Sequence, residues 1–130
     1  MTVRTRRVLF GLGLVFALAF AVNGLLGGAS QLADSHTPAE HAQTYSQFAY
    51  GALALLLPVA MLRQRFVRVT VACWTIAITA AGALAPVVWA GSSAAIGVVS
   101  GVASAAVALG IAWLLWVGAA RGADAIDSTT

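Results

Sequence analysis

Residues 8–28 form a run of Leu, Val, Ala, Phe and Gly, with Asn23 its one polar side chain, that no charge interrupts. A second uncharged stretch has its core at 48–62, and a third runs from 69 past 110. Crossing a bilayer takes about 20 apolar residues. The first two stretches therefore suit one helix each, and the third is too long for one. Pro86, followed by Trp89-Ala90-Gly91-Ser92-Ser93, divides it. Proline lacks an amide donor and pushes Ala85 away from helical geometry, and Gly91 with two serines supplies a turn. The pattern predicts an all-α protein of four helices, about 7–28, 38–63, 68–89 and 93–118. These make one transmembrane four-helix bundle over 1–130, ending in a short polar tail at 121–130.

Composition sharpens this picture. Of 130 residues, 61% are hydrophobic and only 8% charged, against about a quarter charged in a soluble domain. That excludes an ordinary water-soluble fold and a disordered chain. The net charge of +3 rests on seven basic residues, all arginine, which argues against a nucleic-acid binder. Arg4, Arg6 and Arg7 precede the first helix, Arg63, Arg65 and Arg68 lie between the second and third, and Arg121 follows the fourth. With four spans all seven share one side, which the positive-inside rule makes the cytoplasm. Both termini are then cytoplasmic, and the 29–44 loop lies outside the membrane. Tyr45, Tyr50 and Trp89 fall near the outer interface, Trp113 and Trp116 near the inner one. The first apolar run exceeds the length of a signal-peptide core, so it reads as a span. Cys73 is the lone cysteine and excludes an intramolecular disulfide or a CxxC relay.

The outer segment carries the strongest local signal. Thr37 can cap a helix start, Pro38 suits the first helical position, and Glu40 stands where it can bond back to the capping amide. Helix 2 is thus expected to begin at Pro38 and project beyond the hydrocarbon, with Pro58 placed to kink it. Glu40, Gln43, Gln47 and Tyr50 follow steps of three, four and three along this extension and share one face. Asn23 sits level with Gln47 on helix 1. Polar groups in lipid need partners, so Thr75 and Thr79 of helix 3, like these residues, should point into the bundle. One reading is an outward-facing ligand pocket of Asn23, Gln43, Gln47 and Tyr50; the other is plain interhelical hydrogen bonding. Asp34, His36, Glu40 and His41 carry metal-ligand chemistry, and His36, Glu40 and His41 form the candidate set, although their spacing matches no strong metal motif. Gly97, Gly101 and Ala105 give helix 4 a small-residue face suited to close packing within the bundle or between chains. Gly11, Gly13, Ala17 and Ala21 do the same for helix 1.

Several chemistries lack their residues. No ionisable side chain lies in the middle of any span, which argues against proton-coupled transport. Small multidrug transporters share the four-helix size but rely on a buried Glu in helix 1, where this chain offers only Asn23. Haem bundles need paired intrahelical histidines, and both histidines here lie outside the spans. No nucleophile and base are visibly paired, so no hydrolase is expected. Nothing calls for a cofactor.

Arg7 followed by an apolar helix ending Asn23-Gly24, and a second helix ending Arg63-Gln64-Arg65 that leads directly into a third, resemble the layout of the DoxX-like superfamily of small four-helix bacterial membrane proteins. The resemblance covers most of the chain as topology and implies no functional residue. Two functions are in view. The first is a non-catalytic accessory or interaction subunit of an inner-membrane assembly, partnered by the bilayer and by a homo-oligomer or larger membrane complex. The second is a binding or transport protein for a small neutral or lipophilic ligand.

Overall fold

The computed structural model describes residues 2–119; the 121–130 tail and Arg121 lie outside the described residues. Four helices follow one another: α1 (Val3–Leu32), α2 (Pro38–Arg63), α3 (Val67–Ala90) and α4 (Ala94–Ala119). All four are long and apolar enough to cross a membrane. Each packs on its two neighbours, so the ring closes α1–α2–α3–α4–α1, with little contact between α2 and α4 across it. Gly118 near the end of α4 meets Phe10 near the start of α1, and Gln43 near the start of α2 meets Trp89 near the end of α3. The bundle therefore runs up, down, up and down.

α1 extends four residues beyond the expected span at each end. The hydrophobic run sets a membrane span, not a helix length. At the start, the Thr2 hydroxyl accepts the Thr5 amide at 3.1 Å and caps the helix through the arginines. α2 begins where the capping box demands. The Glu40 amide donates to Thr37 Oγ1 at 3.1 Å, and Glu40 Oε1 accepts the Thr37 amide at 3.0 Å. Thr37→Ala is expected to cost about 0.5–2 kcal/mol of local helix stability. Faster amide hydrogen exchange over 38–42, with the rest of the chain unchanged, would register that loss.

The third apolar run divides where expected, after Ala90, although Pro86 itself does not end the helix. It lies within α3, which continues to Ala90. Proline leaves the carbonyl four residues back without its helical donor. Here that carbonyl, on Gly82, accepts the Ser100 hydroxyl of α4 at 2.6 Å. The helix stops instead at Gly91, whose φ of 65° is glycine's own region. The Pro86 carbonyl then accepts the amides of both Gly91 and Ser92.

Small residues line the inside. Gly13, Ala17, Ala21, Gly24 and Gly28 form the buried stripe of α1. Gly24 and Gly51 bring the backbones of α1 and α2 together: a Cβ on Gly24 would stand 2.6 Å from the Gln47 carbonyl oxygen. Gly97 and Gly101 of the expected packing face are filled by Val87 and Ala83 of α3, while Ala105 is half-buried. That face therefore packs within the chain. Gly11 meets nothing.

Large buried side chains cluster in the half of the bundle away from the 33–37 loop. Trp74, Leu57, Met61 and Leu115 are fully buried. The Trp74 indole donates to the Ala108 carbonyl at 2.9 Å, which settles its only polar atom and ties α3 to α4. Outward, the surface is apolar, with Val15, Leu26, Ile76, Val99 and Val102 all exposed. Water would not tolerate so continuous an apolar surface, whereas lipid does. The chain reads as a multi-pass membrane protein.

Candidate functional site

The polar stripe of α2 faces the inside of the ring. Gln43, Gln47 and Tyr50 are buried, at 3%, 6% and 6% exposure. Together with Asn23 and Gln31 of α1 they line a cavity of about 240 Å³ in the half of the bundle nearest the 33–37 loop. Its apolar walls come from Phe20 of α1 and from Ile78, Ala81 and Ala85 of α3, and Ser104 of α4 adds a hydroxyl. Phe20 stands edge-on to both Tyr50 and Trp74, with ring centroids 5.8 Å apart in each pair. Phe20 and Tyr50 line the cavity, and Phe20 links it to the fully buried Trp74. A second hollow of about 200 Å³ between α1 and α4 shares Phe20, Ile78 and Ser104 with it.

Each amide uses one of its two ends to hold the bundle. Asn23 Nδ2 donates to Tyr50 Oη at 2.9 Å. Gln47 Nε2 donates to the Asn23 carbonyl oxygen at 3.3 Å, and Gln43 Oε1 accepts the Trp89 indole N–H at 2.9 Å. These partners also fix which way the glutamines point, because a carbonyl only accepts and an indole N–H only donates. The other ends remain for the cavity. Gln47 Oε1 and Gln31 Oε1 are buried without a hydrogen-bond partner. Gln43 keeps its amide NH₂, and Tyr50, having accepted from Asn23, keeps its hydroxyl proton. The cavity lining thus holds both acceptors and donors, and no charged side chain.

Trp89, Phe20, Trp74 and Ser104 belong to this site, and sequence reasoning did not place them there. Trp89 was expected only as an interfacial aromatic. Its partner lies 46 positions away, so no local spacing announces the pair. Thr75 also departs from expectation. It is half-buried on a groove between α3 and α4 beside Leu109, and its hydroxyl is buried without a partner.

The candidate metal ligands do not converge. Among the described residues no three His, Cys, Asp or Glu side chains come together. Glu40 Oε1 accepts the amides of both His36 and Thr37. Those two amides hold its carboxyl, which lies in the first turn ahead of the apolar stretch of α2, below the ordinary carboxylate range. His41 Nδ1 hydrogen-bonds Ser35 Oγ at 2.9 Å and its ring stacks on Tyr45, whereas His36 is exposed. The helix start between His36 and His41 separates them, and capping occupies the carboxylate.

Ser35 with His41 is a hydroxyl–imidazole pair that the sequence did not reveal. Ser35 is buried, at 5% exposure. The pair clasps the loop after α1 to the first turns of α2. Comparison with protein-family models, with curated proteins and with solved structures gives no match. The likeness to DoxX-like proteins accordingly stands on helix number and layout alone, and the chemistry of the cavity is what bears on function.

Proposed function

We propose that this chain is a non-catalytic binding protein of a bacterial inner membrane, taking a small neutral ligand into the outward-facing cavity of its bundle. One observation carries this reading: Gln47, a residue of the cavity lining, keeps its Oε1 buried and without a hydrogen-bond partner. An unmade buried hydrogen bond costs about 1–3 kcal/mol, so a partner there is worth having. The cavity holds no charged side chain, which selects a neutral guest. Its donors and acceptors suit a molecule with both functions, such as an amide, an alcohol or a phenol. At about 30 Å³ per liquid water, 240 Å³ equals roughly eight waters. The guest is therefore smaller than a drug-sized ligand.

The accessory-subunit reading relies on small-residue faces open to another chain. Gly97 and Gly101 are occupied by α3, so the ligand reading stands first. Native mass spectrometry from mild detergent should show a retained small neutral mass. Saturation-transfer NMR should detect benzamide and phenol but not toluene. Equal binding of all three, or binding of none, would overturn the proposal.

The same proposal places both termini and Gln64 in the cytoplasm and the 29–44 segment, with its 33–37 loop, outside, supported by the arginine distribution. His36 and Gln64 are both exposed and suit cysteine scanning in a Cys73→Ala background. His36→Cys should react with an impermeant maleimide on intact cells. Gln64→Cys should react only after the membrane is opened, and the reverse order would invert the topology.

A further inference from the structure

The turn between α2 and α3 departs from ordinary backbone rules. α2 ends with the Gln64 amide on the Met61 carbonyl at 3.3 Å and the Arg65 amide on the Ala60 carbonyl at 3.2 Å. This paired closure needs a left-handed residue, which is usually glycine. Here it is Gln64, at φ 53°, and Phe66 two positions on is also left-handed, at φ 57°. Such values are uncommon for any side-chain-bearing residue and are outliers for a bulky one. Phe66 gains no burial in exchange, being 73% exposed. Its ring instead carries the Arg65 guanidinium, with Cζ 5.6 Å from the centroid. Strain held without packing gain points to a contact made outside the chain.

Beside this turn lies a hollow of about 420 Å³ between α2 and α3. Leu56, Val59 and Ala60 line it within the span, and Arg63, Arg65 and Phe66 line it at the helix ends. Among the described residues the only carboxylates, Asp34 and Glu40, are at the opposite end of the bundle. Phe66 also gives α3 no side-chain cap. The first amides of α3 therefore add to the positive potential there.

We propose that this hollow binds an anionic phospholipid, its phosphate on Arg63 and Arg65 and one acyl chain along Leu56, Val59 and Ala60. A guanidinium presents a fork of N–H donors that matches phosphate oxygens. A soluble phosphate would use the arginines and leave the apolar slot unused. A zwitterionic lipid would fill the slot but bring a cation to the arginines. Only an anionic amphiphile matches both halves, and basic pockets between transmembrane helices are known to hold such headgroups. The site is independent of the outer cavity and stands whether or not that cavity takes a ligand.

The test uses the full chain in mild detergent, titrated with phosphatidylglycerol or phosphatidylcholine and read by native mass spectrometry. Each arginine near an anionic surface is worth about a factor of five, so two should give phosphatidylglycerol roughly a 30-fold preference. Arg63→Gln with Arg65→Gln should abolish the preference. Arg68→Gln, at a residue that lines the groove between α3 and α4 instead, should leave it intact, and Ala60→Phe should weaken phosphatidylglycerol retention by filling the slot. Equal retention of the two lipids by the unmodified chain would overturn the proposal without any variant. So would a preference that survives the double substitution, or one that Arg68→Gln removes equally, since attraction would then be diffuse. Displacement of the lipid by equimolar glycerol phosphate, with no effect of Ala60→Phe, would reduce the site to a phosphate contact and also overturn it.

Discussion

Gln47→Leu is expected to weaken capture of a neutral hydrogen-bonding ligand by about 5- to 150-fold while leaving the bundle folded. The two effects separate because the two ends of this amide do different things. Nε2 makes one long hydrogen bond to the Asn23 carbonyl, at 3.3 Å. Hydrogen bonds between membrane helices average about 0.6 kcal/mol, so losing it is minor. Oε1 is buried without a hydrogen-bond partner, and its removal relieves a cost. Leucine has similar volume, so the net stability change should stay within about 1 kcal/mol. The bound state loses more. A ligand N–H or O–H that met Oε1 would face a methyl group, at a cost of about 1–3 kcal/mol, or roughly 5- to 150-fold in affinity. Benzamide titration of the two proteins, with thermal unfolding in the same detergent, measures both. Unchanged affinity would remove Gln47 from the site.

The largest stability effect should come from Gly24→Ala. A Cβ at this position would stand 2.6 Å from the Gln47 carbonyl oxygen and 2.7 Å from Gly51 Cα. Both neighbours are backbone, and neither can rotate aside. The crossing of α1 and α2 must open, at about 1–3 kcal/mol for overpacking. The displacement acts on the residues next to Asn23 and Tyr50 and on Gln47 itself, so the cavity lining should shift as well. Gly11→Ala is the matched control. Nothing lies within 4 Å of its added Cβ. The same change there should be neutral or stabilising by up to about 1 kcal/mol, because alanine is the better helix former. Unfolding titrations in denaturing detergent should order the proteins Gly11→Ala, parent, Gly24→Ala from most to least stable. Equal stability of the two variants would show that the helices do not touch at Gly24.

What can be read from the chain alone is what lies within a few turns of one helix. Four spans follow from runs of apolar residues, because a bilayer imposes a minimum length on any crossing. The start of α2 follows from Thr37, Pro38 and Glu40, since a capping box closes within four residues. The stripe of Gln43, Gln47 and Tyr50 follows from helical period alone. Tertiary structure decided the rest. In water, burial is announced by an apolar face. In lipid the outside is as apolar as the inside, so that signal fades and the rotation of each helix is not written in its hydropathy. Trp74, buried on Ala108, and Ile76, two residues away and exposed, look alike in sequence. Pro86 reads as a break because its cost to Gly82 is local, while the Ser100 hydroxyl that meets the stranded carbonyl comes from the next helix. The same holds for the cavity. The sequence places three polar side chains on one face, but which atom of each remains free depends on partners on α1 and α3. Trp89 takes the oxygen of Gln43 and Asn23 takes the nitrogen of Gln47, and only the assembled ring leaves Gln47 Oε1 without a partner.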